Sequence, residues 1–110
     1  MSEQSVRLDL RDGIATVTLN RPDAMNSLDW ETKEQLLAAV TKVAEDPSVR
    51  CVVLTGTGRA FCVGQDLKEH LSLLADGDAE SLFTTVARHY NPIVTAIASM
   101  PKPVVAAVQG

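Results

Sequence analysis

The sequence predicts an α/β fold, and three observations carry that prediction. The run Cys51-Val52-Val53-Leu54 is uninterruptedly apolar and rich in β-branched residues, the pattern of a parallel strand covered on both faces. A second such run, Val104 to Val108, stands near the end of the chain. Segments with helical periodicity precede and separate the two, and this alternation builds parallel sheets with right-handed crossovers.

The elements follow in order. Val6, Leu8 and Leu10 alternate with polar residues, Asp12-Gly13 signals a two-residue turn, and Ile14 to Leu19 is the second strand of a β-hairpin. Asn20-Arg21-Pro22 ends it, because Pro22 has no N–H for a ladder and holds Arg21 extended. Asp29 is the expected N-cap of a helix from Trp30 to about Glu45, with Leu36, Leu37, Val40, Val43 and Ala44 on one face. Asp46-Pro47-Ser48 stops that helix before the Cys51 strand. Gly56 and Gly58 break the strand, and the short apolar patch Ala60 to Val63 leads into Gly64-Gln65-Asp66. Asp66, with Glu69 three residues on, reads as the aspartate version of a capping box opening a helix from Leu67 to Leu74. Ala75-Asp76-Gly77-Asp78 is a small, acidic, mobile break. A longer helix is expected from about Ala79 to Ser99, with Leu82, Phe83, Val86, Tyr90, Val94, Ile97 and Ala98 on or beside one face and a kink or division at Pro92. Met100-Pro101-Lys102-Pro103 is extended and feeds the last strand.

Composition excludes several function classes. The chain has 110 residues, 45% hydrophobic and 22% charged, ordinary values for one soluble domain with a modest core. A net charge of −4 and a pI near 5.0, with no basic patch among aromatics, argue against nucleic acid as a partner. No apolar run approaches the roughly 20 residues that span a bilayer. Met1-Ser2-Glu3-Gln4 is polar and lacks a signal-peptide core, so a cytoplasmic location is expected, with no membrane partner. Cys51 and Cys62 read as reduced thiols without metal spacing, and His70 and His89 fall on separate helices, so no metal is expected. Gly56-Thr57-Gly58 lacks the third glycine of a dinucleotide fingerprint, and Ser72 and Ser81 have no nucleophile elbow around them. Asp76, Asp78 and Glu80 read as solvated surface.

One place stands out chemically. Gln65 is expected at a helix start, where backbone N–H groups have no partner within the helix. Such donors, helped by the positive end of the helix dipole, hold a developing negative charge.

The residues around it resemble a known family. Arg59-Ala60-Phe61-Cys62-Val63-Gly64-Gln65-Asp66-Leu67 is similar to the signature loop of the crotonase superfamily, the enoyl-CoA hydratases and isomerases. Leu19-Asn20-Arg21-Pro22-Asp23-Ala24-Met25-Asn26-Ser27-Leu28 resembles its other N-terminal hallmark, and Pro101 to Gly110 a third. The resemblance implies the repeated ββα spiral of the crotonase fold, N-terminal portion only, over residues 1–110. With nothing after Gly110 to cover the final strand, the sequence is expected to be part of a longer protein. The family's chemistry is stabilisation of a thioester enolate by two backbone N–H donors. By resemblance the first donor is the N–H of Gln65, whose side chain is then incidental, so that replacing Gly64 should matter more than replacing Gln65 by Ala.

The second donor and the acids that move protons lie beyond Gly110 in relatives. Asp66 and Glu69 are better explained as caps than as substitutes for them. The same carry-over places coenzyme A against Ala24, Met25, Cys62, Val63, Gly64, Asp66 and Leu67, with Val63 as a backbone partner for adenine. Arg21 and Arg59 are either phosphate contacts or solvated residues beside turns. No separate cofactor is implied, coenzyme A being part of the acyl-CoA substrate, and a homotrimer or hexamer is implied only for a full-length form. Gly-Gln-Asp-Leu at 64–67 with His-Tyr-Asn-Pro at 89–92 resembles the isomerases of ring-epoxidised phenylacetyl-CoA. An enoyl-CoA hydratase of fatty-acid breakdown is the alternative. The alternative of another class is a truncated, non-catalytic fragment that only binds acyl-CoA or partner subunits.

Overall fold

In the computed structural model, which describes residues 4–77 and 79–110, the chain forms a four-stranded sheet with helices packed against it. β1 (Val6–Arg11) and β2 (Ile14–Leu19) pair antiparallel, Val6 opposite Leu19. Their turn is the expected two-residue one: Asp12 at φ 53° and Gly13 at φ 81° take the positive angles that match a hairpin's twist. β3 (Cys51–Gly56) lies parallel to β2, and β4 (Val104–Ala106) parallel to β3, giving the order β1-β2-β3-β4.

α1 (Trp30–Glu45) begins where the sequence places it. The Asp29 carboxylate accepts from the Thr32 N–H at 2.9 Å. Leu36, Val40 and Val43 are buried from its apolar face against Val6, Ala15, Val17 and Leu19 of the hairpin. Burial of each such side chain stabilises by about 1.5–3 kcal/mol. At the other end Lys102 Nζ donates to the carbonyls of Val43 and Asp46, both at 2.6 Å, occupying acceptors that a helix end leaves free.

Three expectations are corrected. β3 buries only Val52, its other residues being half-buried, so the two-sided cover read from its apolar run is not present among the described residues. β4 is shorter than Val104 to Val108, although Ala107 N–H still bonds Leu54 O at 2.8 Å.

The long C-terminal helix is divided, but not by Pro92 alone. α2 (Leu67–Ala75) and α3 (Ala79–Thr85) precede a π-helical segment, Val86–Tyr90, and α4 (Asn91–Ser99) starts after it with Pro92 in its first turn. Thr85, His89, Ile93 and Met100 are buried, while Phe83, Val86 and Val94 are exposed. The buried stripe is therefore offset from the one that apolarity suggested. The reason is that α1 supplies polar partners for Thr85 and His89. Asp78, part of the expected acidic break, lies outside the described residues, as does the side chain of Leu82. No helix among the described residues is long and apolar enough to cross a membrane.

Candidate functional site

Three segments meet beyond the ends of β2 and β3. After β2 a short 3-10 turn, Pro22–Ala24, is followed by Met25 and Asn26, both left-handed at φ 51° and 57°. Asparagine tolerates that conformation, and here its amide is also fully used. Asn26 Oδ1 accepts from Arg21 N–H at 2.7 Å, and Nδ2 donates to Thr57 O at 2.8 Å and Ala60 O at 3.0 Å. Asn26 is buried, so this side chain stitches the first segment to the loop after β3. From the third segment, Gln109 O accepts from Phe61 N–H at 3.1 Å.

Arg21 is spent inside the protein. Its Nη1 donates to Ser27 O at 2.6 Å and lies 3.2 Å from Asp66 Oδ2, while Nη2 stands 3.6 Å from Asp29. It is not a solvated residue beside a turn, one of the two alternatives left by sequence, and its side chain also lines the groove that runs past Gln65. Arg59 is exposed.

Asp66 caps α2 as expected, accepting from Glu69 N–H at 3.1 Å. Burial pushes its carboxyl pKa up, but the Glu69 N–H and the Arg21 guanidinium outweigh burial and hold it below the usual aspartate value. The reciprocal half of the capping box is absent. Glu69 Oε2 instead accepts the N–H of Trp30 at 2.9 Å, closing the first turn of α1 from another helix.

Gln65 sits between these clamps. Leu28 N–H donates to Gly64 O at 2.7 Å and Asp66 N–H to Leu28 O at 3.0 Å, a one-residue parallel bridge from Leu28 to Gln65. The N–H of Gln65 donates to no acceptor among the described residues. Gly64, at φ 101°, has a conformation that L-residues rarely adopt, and a Cβ built there would meet no atom within 4 Å. The space in front of this peptide is open.

A groove of about 490 Å³ runs past it, lined by Ala24, Met25, Val63, Gln65, Asp66 and Leu67 among others. Apart from Gln65, the expected oxyanion donor, these are residues expected to touch coenzyme A. Gly64 and Cys62 are not in its lining. Cys62, a free thiol, packs against the core and its sulfur receives the Gly64 N–H at 3.4 Å. Val63 N–H is engaged by Met25 O at 3.3 Å, leaving the Val63 carbonyl for any outside partner.

The sequence did not flag what stands behind Gln65. Its Oε1 accepts from Tyr90 OH at 2.5 Å and from Lys33 Nζ at 3.1 Å. Lys33 is 1% exposed, and burial lowers its amine pKa despite the opposing pull of Glu69, Asp29 and Asp66. Burial raises the Tyr90 phenol, with Cys62 and Glu69 adding to it. Lys33 Nζ also donates to Thr85 Oγ1 at 2.6 Å, and Thr85 Oγ1 lies 2.8 Å from His89 Nδ1. The direction of the Thr85–His89 contact follows the imidazole tautomer, and the second ring nitrogen, Nε2, faces α1. That Nε2 is 3.2 Å from Glu34 Oε1, off the line of a hydrogen bond, and Trp30 meets the imidazole edge-on at 4.4 Å. One signal was available: Lys33, Leu36, Leu37 and Val40 are spaced i, i+3, i+4 and i+7, so the lysine lies on the apolar stripe of α1.

Comparison with known proteins identifies the family. Residues 9–110 match the family described as enoyl-CoA hydratase/isomerase. The chain belongs to that family. Among family members, 1,2-epoxyphenylacetyl-CoA isomerase of Escherichia coli (strain K12) is 45% identical over 98 residues, covering 89% of this chain and 37% of that protein. (E)-Benzylidenesuccinyl-CoA hydratase of Thauera aromatica is 40% identical, over 96% of this chain and 39% of its own. A solved enoyl-CoA hydratase/isomerase from Mycobacterium paratuberculosis superposes with a TM-score of 0.84 at 34% identity, covering 98% of this chain and 42% of that one. The mixed α/β architecture is thus a partial portion of the crotonase fold, and the chain spans about two fifths of the length of these family members.

Proposed function

We propose that the groove binds an acyl-CoA thioester and that the N–H of Gln65 is one of two donors to its carbonyl oxygen. As a proton leaves the carbon beside the thioester, charge moves onto that oxygen. A fixed donor in a site shielded from water is worth about 3 kcal/mol to such an oxyanion. The observation that carries the reading is a backbone N–H with no acceptor among the described residues, beside a left-handed glycine whose absent side chain leaves open space. Ala24, Met25, Val63, Asp66 and Leu67 line the path of coenzyme A, with Gly64 and Cys62 shaping the loop from behind. In this reading the second donor and the proton-moving acid are supplied by residues other than those of the groove.

Within the family, isomerisation of ring-epoxidised phenylacetyl-CoA is the first choice, supported by the 45% identity to an isomerase of that name. Hydration of an enoyl-CoA is the second, supported by the hydratase names among its relatives. The test is turnover by the full-length protein of 1,2-epoxyphenylacetyl-CoA and of crotonyl-CoA, with Gly64→Ala alongside. Preferred turnover of the epoxide supports isomerisation, and preferred turnover of crotonyl-CoA supports hydration. Gly64→Ala is expected to reduce either activity at least tenfold, because a Cβ enters the open space. Failure of the unaltered protein to bind or convert either thioester would sink the reading.

A further inference from the structure

We propose that Lys33, together with Tyr90, is a positioning residue for the Gln65 amide: the ammonium and the phenol grip Gln65 Oε1 from the protein side and fix where the backbone N–H of the same residue points. The inference rests on the thioester-binding reading above.

The peptide in question joins Gly64 to Gln65, and the glycine at φ 101° offers little resistance to its swivelling. Restraint therefore has to come from the other side. The Leu28 bridge supplies part of it through Gly64 O and the Asp66 N–H, and neither bond involves the Gln65 N–H itself. The Gln65 side chain supplies the rest, tied at its tip by Tyr90 OH at 2.5 Å and Lys33 Nζ at 3.1 Å. Both donors are anchored in turn. Lys33 is 1% exposed, bonded to Thr85 Oγ1 at 2.6 Å, and its charge stands 5.0 Å from the centre of the Tyr90 ring. Thr85 precedes and Tyr90 ends the π-helical turn between α3 and α4, so the grip reaches from α1 to the far side of the loop.

A lysine in this place is costly, because burial disfavours its charge. A methionine of similar length would fill the space without that cost. The group that benefits from the ammonium is the carboxamide next to the proposed donor. Gln65 thereby joins two roles, its amide facing the groove and its side chain facing the relay.

The experiment is a double-mutant cycle in the full-length protein with Lys33→Met, Gln65→Leu and both together, following thioester turnover, affinity for a saturated, unreactive acyl-CoA, and Tm. Each single variant is expected to lose about tenfold in kcat with KM within about twofold. The double variant should lose no more than the worse single, because Lys33 acts through Gln65. In the double variant no buried ammonium is left without the Gln65 carboxamide, and Tyr90 OH loses its acceptor just as it does in Gln65→Leu. If Lys33→Met alone does not fold, the double variant compared with Gln65→Leu therefore still answers the question. Tyr90→Phe, removing one of two donors, should lose less than either. Losses that multiply in the double variant, or that follow the fall in Tm, would overturn the inference. So would unchanged kcat in Lys33→Met. An unaltered protein that turns over no acyl-CoA thioester overturns the underlying reading as well, and this shows before any variant is compared.

Discussion

At residue 65 one side chain changes how the site must be understood. The amide carries the proposed chemistry, and sequence alone makes the side chain incidental to it. Instead Oε1 receives two hydrogen bonds from the buried face of the protein. Gln65→Ala is therefore expected to lower unfolding free energy by about 1–3 kcal/mol, since Tyr90 OH loses its acceptor and Lys33 Nζ one of two. Urea denaturation checks this, and a loss under about 0.5 kcal/mol would show that water replaces the carboxamide without cost. Lys33 itself escaped notice for a physical reason: patterning registers what is apolar, and a lysine on an apolar stripe looks like an interruption of the stripe. Its partners Thr85, Gln65 and Tyr90 lie 52, 32 and 57 positions away in sequence, beyond the reach of local spacing.

Among the elements, those with local causes were legible and those with distant causes were not. The Asp12-Gly13 turn and the Asp29 and Asp66 caps are determined by a few neighbouring residues, and each forms as expected. Glu69 was assigned to its own helix because the capping-box spacing is local, yet it closes the first turn of α1, 39 residues away. Glu69→Ala is expected to cost about 1–2 kcal/mol by leaving Trp30 N–H without its acceptor. Amide hydrogen exchange should show the loss at the first turn of α1 as well as in α2. Faster exchange confined to α2 would mean that the contact between helices contributes nothing. The same logic explains the displaced stripe running from α3 through the π-helical segment into α4: apolar counting placed Val86 and Val94 inward, whereas partners on α1 bring Thr85 and His89 in.

For the whole molecule, Asp66 at the groove and Lys33 behind it each make stability rise with pH, in two separate windows. Asp66 has a folded pKa below its ordinary 3.8, so its contribution is complete above that value and is lost as pH falls through the folded pKa. Lys33 has a folded pKa below 10.5, so it costs stability at neutral pH, and the cost is relieved as pH rises through the folded pKa towards 10.5. Asp66→Asn should flatten the acid limb of a stability profile, and Lys33→Met should remove a rise on the alkaline limb. Urea midpoints across pH measure both, and an unaltered acid limb in Asp66→Asn would mean that the Arg21 contact adds no stability. The fold class and three converging motifs were readable because each motif is contiguous. The sheet's one-sided cover was not, because an apolar run records what a strand needs and not what lies over it.

The bond from Glu69 to Trp30 has a mechanical consequence. α2 buries no residue of its own, its start is tied beside the proposed thioester site by the Asp66 cap and the Glu69–Trp30 bond, and the helix also lies against α3. Leu71 and Leu74 are exposed on it, so a shift of these later turns would reshape the surroundings of the proposed acyl site while the start of the helix stays held. Tolerance of substrate size and constancy of the reacting geometry would then come from opposite ends of one short rod.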